Sequence, residues 1–343
     1  MNFASGVLAN FDFAVLFAVI AAVGIGLYVA LDGFDLGVGI LFPFAPRSAD
    51  RDLMMQSLEP FWDGNETWLV LGGMVLFAGF PLAFAIILPA FYVPLCLMLF
   101  GLILRGIAFE FRGQGGPLEM VWSAVFSAGS FIAAFCQGAI LGAFIGQSIH
   151  VVDGRFAGGP FDWLGLFPVV TGLGLAAGYA LLGACWLIWK TSGSTQIFAR
   201  ELALPTLLCV GAAVVAVSVW TPLALPFIEA RWFTWPHIVL LLPLPVIAAV
   251  AWVNVLRTRW SEHEWAPLAS ALVLFIACLA GIGASVWPFA VPGVMTIWEA
   301  SSMHRTQVIV AGSLVVIIPI VMAYMVYGYW IFRGKIKPSV DAL

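Results

Sequence analysis

Apolar residues along this chain come in nine long blocks separated by short polar joints. The blocks fall near residues 11–42, 53–80, 82–106, 121–149, 163–189, 202–220, 236–256, 267–290 and 307–332. A helix needs about 20 consecutive apolar residues to cross a bilayer, so each block is predicted to be one transmembrane span. The tightest joint is Gly79-Phe80-Pro81, between the second and third blocks. Even the longest connections, VDGRFAGGPFD and AVPGVMTIWEASSMHRT, are too short to hold a soluble domain. The pattern predicts an all-α membrane protein, with residues 1–343 forming a single polytopic domain.

Composition gives the same answer. Of the 343 residues, 63% are hydrophobic and 9% charged, and the mean hydropathy is +1.06. Soluble domains carry about 25% charged residues. The opening MNFASGVLANFDF has no basic segment before its apolar run, so the first span is expected to stay in the mature protein. Five cysteines (Cys96, Cys136, Cys185, Cys209 and Cys278) fall inside spans without a CxxC pair. They read as buried, inert thiols rather than a disulfide framework or an iron–sulfur site.

Basic residues set the expected orientation. With the N-terminus outside, the inside segments hold Arg47, Arg51, Arg105, Arg112, Lys190, Arg200, Arg257, Arg259, Arg333, Lys335 and Lys337. The outside segments hold only Arg155, Arg231 and Arg305. That imbalance predicts a periplasmic N-terminus and a cytoplasmic C-terminus. Glycines at four-residue spacing (Gly33 and Gly37, Gly142 and Gly146, Gly174 and Gly178) read as close helix contacts. Trp163, Trp186, Trp189, Trp220, Trp235, Trp287 and Trp330 fall near span ends, where interfacial anchors belong.

Against this apolar background the stretch EPFWDGNETWLVLGG stands out. If it is helical throughout, Glu59, Asp63 and Glu66 lie within about 60° of one another and share a face. In the preceding span, LDGFDLGVG places Asp32 and Asp35 three residues apart, also on one face. An inside turn near Pro46 makes the two spans antiparallel. Asp35 and Glu59 then sit roughly 10 Å in from the cytoplasmic edge, with Asp63 a turn deeper. The result is a column of carboxylates able to relay protons. A second reading stays open, in which Pro60 starts the helix and Asp63 and Glu66 are ordinary first-turn acids. Arg105, in LRGIAFEFRG, either pairs with a carboxylate or, as is commoner, snorkels to the interface. Glu110 and Arg112 read as solvated.

No metal site is expected. His150, His237, His263 and His304 all fall at predicted helix ends or in loops. A transmembrane b-type haem usually needs two axial ligands facing each other between helices, and no such histidine pair can be drawn. His304, beside Arg305, is a candidate contact for an anionic or quinone-like group. There is no phosphate loop, no nucleophilic triad and no nucleic-acid signature.

LDGFDLGVGILFPF, then PFWDGNETWLVLGGMVLFAGFP and FYVPLCLMLFGLILRGIAFEFR, resemble subunit II of the bacterial cytochrome bd-type quinol oxidases. The later WPFAVPGVMTIWEASS resembles that family's loop before the last helix. The resemblance covers essentially the whole chain. It implies a terminal oxidase of the bacterial inner membrane that oxidises quinol and reduces O2 to water. Two b-type haems and a d haem (or a further b haem) are then expected in a partner, subunit I, and none in this chain. A structural quinone and a small accessory membrane subunit occur in some relatives. By resemblance Asp35 and Asp63 line a proton path from the cytoplasm. Asp32, Glu59 and Glu66 are further candidates, and Trp62, Asn65, Trp68 and Arg105 support them. Glu66 stands where some relatives have an uncharged polar residue, which puts its role in doubt. Two other classes remain open: a stand-alone proton-coupled transporter and a purely structural partner subunit.

Overall fold

The computed structural model describes residues 11–113 and 116–336. Segment 1–10 and Lys337, used above for the leader and the orientation, lie outside the described residues. The first span is α1 (Phe13–Leu41), capped by the Asp12 carboxylate, which accepts from the Val15 amide at 3.1 Å. The predicted second span is two helices, α2 (Ser48–Gln56) and α3 (Trp62–Gly79), separated by a turn at 57–61. Pro60 explains the break: it has no amide proton and disfavours helical backbone at Glu59. The predicted third span is also divided, at Phe91, into α4 (Pro81–Ala90) and α5 (Tyr92–Arg112). The tight joint is therefore a short helix, and the crossing begins ten residues later than the apolar pattern predicts.

After α5 come α6 (Glu119–Ile145), α7 (Leu166–Lys190), α8 (Gly193–Ala224) and α9 (Pro226–Phe233). The chain continues through α10 (His237–Leu241), α11 (Pro243–Thr258), α12 (Ala266–Val286), α13 (Ile297–Ala300) and α14 (His304–Ile331). Among the described residues eight helical stretches are long and apolar enough to cross a membrane, α10 and α11 counting as one. The more polar α3 is not among them but runs antiparallel beside α1: Phe17 meets Gly79, Gly24 meets Leu71, and Asp35 meets Asn65. Two small antiparallel hairpins cover loops, β1 (Val151–Val152) with β2 (Arg155–Phe156) and β3 (Phe289–Val291) with β4 (Met295–Thr296). They leave the protein all-α and multi-pass.

The core is centred on α7, whose stretch from Gly178 to Ile188 is buried throughout. Its approach to α1 depends on glycine, since a Cβ on Gly37 would fall 1.8 Å from the Tyr179 carbonyl oxygen. The α5–α6 crossing is built the same way, with a Cβ on Gly129 falling 2.5 Å from the Gly101 carbonyl oxygen. These two crossings draw α1, α5, α6 and α7 into one tight group. Some expectations fail here. Trp163 and Trp186 are buried rather than interfacial, because packing claims their rings: Trp186 stacks on Phe34 at 4.0 Å. Cys209 is exposed on the bundle surface, and Cys96 and Cys278 are only half-buried, because their helices turn those positions outward.

The two ends of the bundle differ in charge. One, the basic end, gathers Arg47, Arg51, Arg112, Lys190, Arg200 and Lys335. At the far end Trp298 donates to Asp12 at 2.9 Å. The His304 ring there packs edge-on against Phe13, with centroids 5.3 Å apart.

Candidate functional site: a buried carboxyl cluster around one arginine

The site lies where α1, α3 and α5 meet, in the half of the bundle nearer the basic end. On α1, Asp32 and Asp35 point inward, at 0% and 1% exposure. On α3, Asn65 is buried, and Glu66 beside it keeps a side chain 27% exposed. From α5 comes Arg105, at 1% exposure, with a backbone admitted by the Gly101–Gly129 crossing. Its guanidinium bridges two helices, donating through Nη1 to Asp32 at 2.7 Å and through Nη2 to Glu66. Snorkelling is overturned, because two acids inside the bundle give Arg105 partners that the interface would not better.

Asp35 belongs to a neighbouring group. Asn65 donates through Nδ2 to Asp35 Oδ2 at 2.7 Å and accepts through Oδ1 from the Tyr329 hydroxyl at 2.9 Å. Three polar atoms of the cluster are buried without a protein partner: Asp32 Oδ2, Asp35 Oδ1 and Arg105 Nε. Asp32 and Glu66 thus share one cation, while Asp35, close by, is held by an amide alone. With both buried aspartates ionised, one cation cannot balance them, and an unpaired buried ion costs several kcal/mol. The arrangement is suited to hold and exchange protons.

Other predicted site residues fall elsewhere. Glu59 is exposed in the turn 57–61, so it does not share a helical face with Asp63 and Glu66. Asp63 is exposed in the first turn of α3, nearer the basic end than Asp35's partner Asn65 rather than a turn deeper. The column of five acids is in fact two buried aspartates with a half-buried glutamate beside them, and two surface acids. Trp62 is half-buried and stacks on Phe109, with centroids 5.4 Å apart. Trp68 is buried, and its indole points at Met325 Sδ, 2.8 Å away. Arg112 is buried instead of solvated, because Asp52, Glu119 and Ser123 all accept from it.

An aromatic floor separates the cluster from the basic end. Phe61 stacks on Tyr329 at 4.5 Å and meets Trp186 edge-on at 5.6 Å. Lys190 Nζ sits 5.3, 5.1 and 4.9 Å from the rings of Phe61, Trp186 and Trp189 and donates to the Phe332 carbonyl at 2.6 Å. Such a cation–π cage locks the end of α7 to the end of α14. The open side of the cluster is lateral. Glu66 lines a shallow groove of about 260 Å³ between α3 and α5, with Trp62, Val70, Leu99, Ile103 and Gly106.

A model of the family described as cytochrome bd terminal oxidase subunit II matches residues 13–332. The chain belongs to that family. Subunit 2 of the cytochrome bd-I ubiquinol oxidase of Escherichia coli K12 is 28% identical over 348 residues, covering 90% of this chain and 91% of that protein. Subunit 2 of the cytochrome bd ubiquinol oxidase of Bacillus subtilis 168 is also 28% identical, covering 94% and 96%. The bd oxidase of Geobacillus thermodenitrificans shares the fold, with a TM-score of 0.65 at 14% identity over 94% of this chain and 96% of that one. As a bd oxidase subunit II, the chain is one component of an oxidoreductase complex that contains haem.

Sequence reasoning passed over several residues at this site. Tyr329 holds Asn65, and Tyr28, Gln137 and Tyr179 form a second hydrogen-bonded row beside Asp32. A survey of every polar residue inside an apolar span, not only the acids, would have found them. All four histidines are exposed at helix ends or in loops, so no histidine pair faces across the described interior.

Proposed function

We propose that this chain is the haem-free subunit of a bacterial quinol oxidase and supplies protons, taken up on the cytoplasmic side, for the reduction of O2 to water. The observation that carries the reading is the group of two buried aspartates and the half-buried Glu66 gathered near the single guanidinium of Arg105. Acids at membrane depth are costly unless they are used. A structural ion pair would need only one of them.

The complex sits in the inner membrane with the basic end of this subunit in the cytoplasm, as the basic-residue bias requires. Subunit I carries the two b-type haems and the d haem (or a further b haem) and oxidises quinol; a small accessory subunit and a structural quinone complete the assembly in some members. Protons arrive near Asp63, with Glu59 widening the acidic mouth. Glu66, three residues on from Asp63, passes them to the interior, where Asp32 and Asp35 lie. The half-exposed Glu66 also argues for what covers the groove: a carboxyl facing lipid there is unfavourable, and subunit I seated on α3 and α5 removes the exposure. Drawing protons from the cytoplasm while quinol releases its own outside separates charge without a pump.

The test uses the whole complex. Asp35→Asn keeps the shape and the Asn65 contact but cannot carry a carboxyl proton, so oxygen consumption should fall about tenfold or more. Asp63→Asn should lower it less, and haem spectra should match the unaltered complex in both. Full turnover of Asp35→Asn across pH would sink the proton role. Loss of haem-bearing subunit I on purification would make the carboxyl structural instead.

A further inference from the structure

Tyr28, Gln137 and Tyr179 come from three different helices, α1, α6 and α7, and meet beside the carboxyl cluster. The Tyr179 hydroxyl donates to Gln137 Oε1 at 2.8 Å, which orients the amide. Gln137 Nε2 then donates to the Tyr28 oxygen at 2.6 Å. This leaves the Tyr28 hydroxyl proton without an acceptor in the row. Tyr28 is itself buried, at 4% exposure, so water cannot easily take that proton. One helical turn later on the same face stands Asp32, whose side chain leans back toward the N-terminal turn. Asp32 Oδ1 takes Arg105, and Oδ2 is a buried acceptor with no partner. A spare donor and a spare acceptor therefore stand side by side, and leaving either unmade is costly.

We propose that Tyr28, oriented by Gln137 and Tyr179, is a positioning residue that donates to Asp32 Oδ2 and keeps Asp32 as the permanent anion of the cluster. The groups facing Asp32 are Tyr28 and Asp35 on its own helix, Glu66 on α3, Arg105 on α5 and Tyr179 on α7. With Asp32 fixed as the counter-ion of Arg105, the guanidinium charge is balanced at all times. Asp35 and Glu66 are then the carboxyls free to gain and lose protons. The row thus divides labour among acids that look equivalent in the sequence. It rests on the proton-relay reading given above, but Asp32's own protonation state can be tested apart from turnover.

The experiment is infrared spectroscopy of the purified complex, following the carbonyl stretch of protonated carboxylic acids across pH, alongside oxygen consumption. Tyr28→Phe keeps the ring and removes the donor. It should let Asp32 take a proton, adding one carboxylic-acid band that the unaltered complex lacks. The band should vanish in the double variant Tyr28→Phe/Asp32→Asn. Gln137→Met, which cannot orient Tyr28, should give a smaller change of the same kind. Identical spectra for Tyr28→Phe and the unaltered complex overturn the proposal, as does a new band that survives Asp32→Asn. If the band appears as expected while Asp35→Asn keeps full turnover, the Tyr28–Asp32 bond stands and the proton-relay reading falls.

Discussion

Two buried aspartate sites show how differently one protein can treat the same side chain. Asp50, at 2% exposure near the basic end, is saturated. Its Oδ1 accepts from Ser194 at 2.7 Å and Thr195 at 2.8 Å, and its Oδ2 accepts from Arg47 at 3.0 Å. Burial opposes its charge, yet these hydrogen bonds outweigh that and hold the carboxyl below its ordinary value. The site pins the start of α2 to the start of α8 and has nothing left to exchange. Asp32 and Asp35 are as deeply buried, but each keeps an oxygen without a protein partner; Asp32 shares one guanidinium with Glu66, and Asp35 is held by Asn65 alone. Asp50 is thus saturated by protein donors, whereas Asp32 and Asp35 each keep acceptor capacity to spare.

The comparison can be broken most severely at Arg105. Arg105→Leu would leave Asp32 buried without its counter-ion, a change that costs about 3–5 kcal/mol. The expected outcome is a complex that melts many degrees lower or purifies without haem, read by thermal unfolding and absorption spectra. Arg105→Lys, a single point charge in place of a fork, should fall between the two. A variant as stable as the original would show that the cluster does not depend on its cation.

Asp50 tests the saturated side. Asp50→Asn should lower stability near neutral pH by about 1–3 kcal/mol, through lost charge-assisted bonds, with turnover per assembled complex unchanged. The pH dependence has a definite sign. A carboxyl held below its ordinary value stabilises the fold above that value, 3.8 for aspartate, and loses the contribution as pH falls through its lower folded value. The melting difference between Asp50→Asn and the unaltered complex should therefore shrink below about pH 3.8 and be constant above it. A turnover loss at full stability would place Asp50 among the working acids.

The smallest effect belongs to the surface. Lys335 Nζ lies 2.7 Å from Glu264, a pair that is 37% and 26% exposed. Lys335→Ala should cost under about 1 kcal/mol, and less at high salt. A larger, salt-independent loss would mean that the chain end is anchored through this contact.

Much of this was readable along the chain. Block length and composition determined a multi-pass helical membrane protein, because about 20 apolar residues per block leave a helix no other solvent but lipid. The glycine pairs marked close crossings, and Gly37 against Tyr179 shows why. DGFD and WDGN mark two of the three helices that meet at the carboxyl cluster, since ionisable residues in such blocks are conspicuous. Where the chain turns was harder to read. Pro60 and Phe91 divide blocks whose hydropathy is continuous, because a helix break costs little hydropathy while it changes which way every later side chain points.

Tertiary structure alone decided which acids meet. Glu59, Asp63 and Glu66 lie within eight residues, yet only Glu66 reaches Arg105, while Asp32 reaches it from 73 positions away. Tyr28, Gln137 and Tyr179 meet only because three helices cross at small residues. Local sequence sets how much a residue dislikes the membrane. Helix packing sets which partner answers it, and partners more than a few turns apart leave no periodic trace in the sequence.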